Sequence, residues 1–220
     1  MPIARINSSL VYFAHVPKCA GTAVEDYLRA RFGALGMLNR SYLRFHEQHR
    51  WTSSSPQHVD VAALENIFPE DFFSAQFAVV RNPIDRIVSV FRYQRDIEGT
   101  IAAETEFLDW LKSLESLRAQ DPYYLDNHTR PAVDIVPHNA EVFKLEDGLG
   151  KVVAWIDEIA GDSDGPRNIG TKNTYLTRIV ETGKPAGRAP DISDAERDVI
   201  AQIFAQDFER FGYAVDNVPA

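Results

Sequence analysis

The chain has 220 residues, 45% hydrophobic and 25% charged, a globular composition that excludes the disordered, fibrous and membrane-spanning classes. Its net charge of −9 excludes nonspecific binding to nucleic acid, which depends on many Lys and Arg contacts to phosphate. Cys19 is the only cysteine, so no intrachain disulfide forms, and Arg5, Asn7, Ser8 and Ser9 interrupt the N-terminal apolar run short of a signal peptide. One domain over residues 1–220, soluble and cytoplasmic, is the expectation, and folding at this length buries roughly 70% of the unfolded chain's surface.

In chain order, Leu10–Ala14 (LVYFA) is a short apolar run of strand type, followed by a polar turn and a helical pattern from Thr22 through Phe32. Phe77–Val80 (FAVV) repeats the theme: a buried strand ends at Arg81, and Asn82-Pro83 supplies a cap and an N1 proline for the next helix. Glu104–Leu117 carries Phe107, Leu108, Leu111 and Leu114 at helical spacing. Glu141–Leu145 (EVFKL) reads as a third strand and Gly148–Ile159 as a helix. Five Gly and three Pro mark 161–190 as a long irregular loop. Ser193–Phe208 is the last helix, with Ser193 and Glu196 in capping-box spacing. Strands separated by helices predict an α/β fold, a central parallel sheet flanked by helices, with ligands at the carboxyl ends of the strands.

Two loops lie at such ends. HVPKCAGT (His15–Thr22) places a lysine, a glycine and a hydroxyl between strand and helix, the parts of a phosphate cradle. It is not a Walker A loop, because Lys18 precedes Gly21 by three residues instead of following the second glycine, and a nucleoside triphosphatase is disfavoured. RNPIDRIVS puts Arg81 at a strand end and Ser89 on the following helix, leaning back toward the same anion. The simpler readings are a plain turn with a solvated lysine, and an Arg81, Asp85 and Arg86 group that only caps and salt-bridges its helix. Two anion loops in one sheet suit a mononucleotide with phosphates at both ends. Charge is distributed accordingly: 76–95 holds Arg81, Arg86, Arg92 and Arg95 against Asp85, whereas 96–126 holds eight acids against Lys112 and Arg118.

VYFAHVPKCAGT followed by FAVVRNPIDRIVSVFRY resembles the 5′-phosphosulfate and 3′-phosphate loops of sulfotransferases that use 3′-phosphoadenosine 5′-phosphosulfate (PAPS). The group it is most similar to includes heparan sulfate 2-O-sulfotransferases and bacterial relatives, and DNHTRPAVDIV, VFKLEDGL and IFAQDFERFGY extend the likeness over most of 10–213. The resemblance implies a P-loop-like fold and sulfuryl transfer from PAPS to a hydroxyl of a carbohydrate or glycoconjugate, with no metal. It makes Pro17, Lys18, Cys19, Ala20, Gly21 and Thr22 the 5′ loop, with Lys18 stabilising the leaving phosphate. It gives Arg81 and Ser89 the 3′-phosphate, and assigns the late loop over adenine to Arg167–Thr174 (RNIGTKNT), including Lys172.

Removal of the acceptor proton asks for a histidine or carboxylate. Of six histidines, His58 in PQHVDVAALENIF resembles the family's catalytic histidine ahead of the second loop and is the favoured base; a helix N-terminal histidine is the plainer reading. His15 belongs to the phosphate loop, in a structural or cofactor-orienting role. His46 and His49 form HEQH, one residue short of a zinc helix motif and lacking a third ligand, and His49 remains the second candidate base, near the acceptor. In DNHTRP, Asn127, His128 and Arg130 resemble acceptor contacts, although Pro131-Ala132 stands where the group usually has proline then glutamine. Cys19 is a space-filling residue or, beside Lys18 and a helix start, a redox-sensitive thiol. A kinase on a similar sheet, or a nucleotide-binding module without turnover, are the competing readings. The acidic surface disfavours a polyanionic acceptor relative to a neutral or weakly charged sugar or lipid headgroup, unless the basic 76–95 stretch lines the acceptor cleft.

Overall fold

The computed structural model describes residues 2–172 and 174–215. Its elements are β1 (Ile3–Ile6), β2 (Ser9–Ala14), α1 (Gly21–Phe32), α2 (Val61–Ile67), β3 (Ala75–Val80), α3 (Pro83–Arg92), α4 (Phe107–Gln120), β4 (Glu141–Lys144), α5 (Gly150–Ala160), α6 (Tyr175–Thr182), α7 (Asp194–Ile203) and α8 (Ala205–Phe211). They fall into two compact units, Met1–Val80 with Ala132–Lys172, and Arg81–Pro131 with Asn173–Ala220. No helix among the described residues is long and apolar enough to cross a membrane.

The first unit carries a four-stranded sheet in the order β1-β2-β3-β4. β2, β3 and β4 are parallel, as the alternation of strands and helices requires, with Phe13 opposite Phe77 and Phe77 opposite Glu141. The last four residues of β2 and of β3 are all buried, which is why both read as continuous apolar runs rather than alternating ones. Phe77 is the centre of this core: its ring centroid lies 4.8 Å from Phe13 and 5.1 Å from Trp155 of α5. A fully buried ring such as Phe13 or Phe77 contributes about 1.5–3 kcal/mol through the area it removes from water. β1, which the sequence reading did not anticipate, adds an antiparallel edge through Ile6 opposite Ser9, with Arg5 on its exposed face. Its IARI alternation is only four residues long, too short to stand out from a polar N-terminus.

The second unit is helical. Ile84, Ile87, Val90 and Phe91 of α3, Trp110, Leu111 and Leu114 of α4, Ile200 of α7 and Phe204 and Phe208 beyond it form one buried cluster. Asn82 caps α3 as its sequence predicts, its side chain accepting from the Ile84 N–H at 2.9 Å, and Pro83 occupies the first turn. The capping box of Ser193 and Glu196 opens α7. Two details depart from the sequence reading. The expected last helix breaks at Phe204 (φ −112, ψ 25), whose ring is buried in the cluster, so α7 and α8 are separate helices. Within the expected irregular loop of 161–190, α6 forms because Thr174 accepts from the Thr177 N–H, Ile179 is buried and Gly183 closes the helix in the left-handed region.

Candidate active site

The loop between β2 and α1 holds most of the expected 5′ contacts in one place. Lys18 (φ 67) and Ala20 (φ 62) both adopt the left-handed conformation, and Ala20 is the N-cap of α1 with no side chain of its own to cap it. Left-handed residues interleaved in a turn aim successive N–H groups to one side, a concavity suited to an anion, and each costs a non-glycine residue about 1–2 kcal/mol. Pro17 and Cys19 are buried, and the Cys19 thiol donates to the Pro17 carbonyl at 3.6 Å, consistent with a space-filling role. Lys18 and Thr22 are half-buried at the mouth of the loop.

Gly21 is required by packing. A Cβ on it would stand 1.9 Å from His15 Nε2, so the imidazole rests directly on its backbone. His15 is held there by Glu25 of α1, with Nδ1 2.6 Å from Oε1 and both side chains buried. Glu25 lies four residues after Gly21 and therefore one turn along the same helix face. Its other oxygen accepts from Arg40 Nη2 at 2.8 Å and Nε at 3.1 Å. Burial alone pushes the Glu25 carboxyl up, but the hydrogen bonds from His15 and Arg40 and their charges bring it down to about 2. Burial holds the His15 imidazole below its ordinary value despite Glu25, with His58 adding to the depression. At neutral pH the pair is thus a carboxylate accepting from the Nδ1–H of a neutral imidazole.

His58 belongs to the same cluster. It ends a single 3-10 turn, Pro56–His58, rather than opening a helix; α2 starts three residues later and is capped by Asp60, which accepts from the Ala63 N–H. The His58 ring is buried, meets His15 edge to face at 4.8 Å and places Nδ1 3.2 Å from Ser55 Oγ. The first unit therefore brings the favoured base to within one ring of the loop between β2 and α1. His49, the second candidate, is exposed on the turn Glu47–His49, 6.2 Å from the His46 ring. Among the described residues no third ligating side chain joins this pair. Lys172 lies 3.5 Å from Asp26 of α1, while Arg167 of the same late segment is bound to Asp157 at 2.5 Å; Asn173 is outside the described residues.

The second unit positions the remaining candidates. Arg81 and Ser89 are half-buried, and among the described residues nothing pairs with the Arg81 guanidinium or the Ser89 hydroxyl. Arg86, by contrast, is structural: it is buried, 3.5 Å from Asp207, and donates to the Arg130 carbonyl at 2.6 Å. That bond secures the DNHTRP turn, where Leu125, Asp126 and Asn127 carry three consecutive positive φ angles of 52, 56 and 62. Arg130 braces the turn by donating to Asn127 Oδ1 at 2.9 Å and to the Pro122 carbonyl at 2.8 Å. His128 is half-buried, with Nδ1 2.6 Å from the Leu125 carbonyl oxygen and its ring stacked on Tyr93 at 5.9 Å. Strain of this kind, over-determined by its surroundings, is characteristic of functional turns.

Glu25 and Arg40 are the residues that sequence reasoning missed. The available signal was the spacing of four between the loop glycine and an acid of α1; nothing in the sequence points to Arg40. In comparison with known proteins, the model described as the sulfotransferase family matches residues 6–214. Neither a curated protein nor a solved structure matches the chain.

Proposed function

Since the chain belongs to the sulfotransferase family, sulfuryl transfer is its class of reaction, and we propose that the donor is PAPS and the acceptor a hydroxyl of a carbohydrate or glycolipid. The acceptor oxygen forms a bond to sulfur as the bond from sulfur to the 5′-phosphate oxygen breaks; His58 takes the acceptor proton and Lys18 neutralises the charge gathering on the leaving phosphate. Pro17–Thr22 hold the 5′ end of the donor, Arg81 and Ser89 its 3′-phosphate, and Lys172 joins them from the late segment. His128, with Asn127 and Arg130 shaping its turn, contacts the acceptor, and His49 lies further out along the acceptor path. A neutral or weakly charged acceptor suits a chain of net charge −9.

The observation that carries this reading is the approach of His58 to the anion loop through a single ring, His15, at 4.8 Å. The test is a labelled-donor screen against sugars, lipids and small alcohols without added metal. Transfer to a hydroxyl compound is the expected result. Tight binding of 3′-phosphoadenosine 5′-phosphate (PAP) with no transfer to any acceptor would instead indicate a nucleotide-binding module.

A further inference from the structure

A buried carboxylate one helical turn behind an anion loop is an electrostatic liability. Glu25 is 1% exposed and sits about 6 Å along the helix axis from Gly21, where its charge opposes any anion that the loop accepts. His15 does not cancel that charge, because its imidazole is neutral. Arg40 is placed to do so. It follows α1 in a loop outside every motif of the chain, and its guanidinium reaches both Oε2 of Glu25 and Oδ1 of Asp26, the latter at 2.9 Å. Asp26 in turn takes Lys172 Nζ at 3.5 Å, so two cations offset the two adjacent acids of α1.

We propose that Arg40 is a positioning residue for the donor: by neutralising Glu25 it lets the Pro17–Thr22 loop hold a multiply charged phosphate, while leaving Glu25 free to lock His15 onto Gly21. This rests on the reading of that loop as the donor site. The role is electrostatic rather than simply architectural, and the difference can be measured. The Arg40 side chain is 42% exposed, so dissolved salt can substitute for part of it.

The test is a cycle of Arg40→Ala, Glu25→Gln and the double variant in the full chain, with circular dichroism as the check on folding and calorimetry of PAP and of inorganic phosphate at low and high salt. Arg40→Ala should weaken PAP binding about tenfold or more at low salt, as one uncompensated charge at this range requires, and the deficit should narrow as salt rises. Glu25→Gln keeps an acceptor for His15, so the double variant should regain most of the lost affinity, and Arg40→Lys should retain it. In turnover, Arg40→Ala should raise the donor KM and leave kcat nearly unchanged. Wild-type affinity in Arg40→Ala, or a double variant as weak as Arg40→Ala alone, would overturn the proposal. Should Arg40→Ala fail to fold, Arg40→Lys and Arg40→Gln provide the same contrast of charge kept and charge lost. If the unaltered chain ignores PAP but binds phosphate in the expected order of variants, the PAPS reading fails and this one stands; if it binds neither anion, both fail.

Discussion

The imidazole of His15 and the carboxylate of Glu25 meet at 2.6 Å in a buried site, ten residues apart in sequence, with the ring seated on Gly21. This contact fixes the geometry of the loop that follows β2. Two left-handed residues there must be stabilised from outside the loop, and a charge-assisted hydrogen bond shielded from water is a strong way to do it.

Gly21→Ala tests the contact directly. The new methyl group would stand 1.9 Å from His15 Nε2, so the ring must move and the Glu25 bond must lengthen or break. The expected outcome is a loss of about 1–3 kcal/mol in stability, as for other overpacked sites, together with PAP binding weakened beyond what unfolding explains. Chemical unfolding and calorimetry check it; unchanged PAP affinity would show that His15 does not shape the loop.

Acid should unfold the first unit in a way that depends on Glu25. Its carboxyl is lowered from 4.5 to about 2 in the folded chain, so its contribution is fully present above about pH 4.5 and is lost as pH falls toward 2. A shift of that size is worth about 3 kcal/mol. Urea unfolding at pH 7, 5 and 3 should show Glu25→Gln less stable than the unaltered chain at pH 7, with the gap narrowed to roughly half by pH 3 and lost only as pH falls below about 2. A constant gap across that range would contradict the assignment of the charge to Glu25.

Lys18→Ala should reduce transfer about 100-fold to 1,000-fold, the cost of removing one preorganised group from developing charge. For His58→Ala the expected loss is about 100-fold to 10,000-fold, that of a general base. Steady-state kinetics on an identified acceptor reads both. Full turnover in His58→Ala would pass the role of base to His49 or to a carboxylate.

Arg81 and Ser89 are assigned to the 3′-phosphate, which AMP lacks. PAP should therefore bind far more tightly than AMP, and Arg81→Ala should lower PAP affinity about tenfold to a hundredfold, the range of a hydrogen bond to a charged group, with little effect on AMP. Equal affinity of the unaltered chain for the two nucleotides would remove the role from both residues.

The order of strand, loop and helix was legible because burial on both faces of β2 and β3 leaves unbroken apolar runs, LVYFA and FAVV, and because Asn82-Pro83 and the Ser193–Glu196 box are local chemistry that acts wherever it is placed. The turn holding Lys18, Gly21 and Thr22 between β2 and α1 was legible for a similar reason: its polar and glycine residues lie within a few positions of one another between an apolar run and a helical pattern. β1 and the break at Phe204 were not, since an edge of four residues and a ring anchored in a distant core leave no local mark. The likeness of DNHTRP to an acceptor motif did not reveal that Arg130 would engage Asn127 and Pro122 or that Arg86 would secure the turn from 44 residues away.

By itself, then, the sequence determined the α/β class and the sulfotransferase family, both of which are written in short contiguous stretches. Only the tertiary structure decided that His58 lies against His15, that Gly21 must be bare because that ring covers it, and that a buried Glu25 is balanced by Arg40. These are matters of distance between residues far apart in the chain, and the energy of a charge depends on how much water and which partners surround it, which no spacing along the chain encodes.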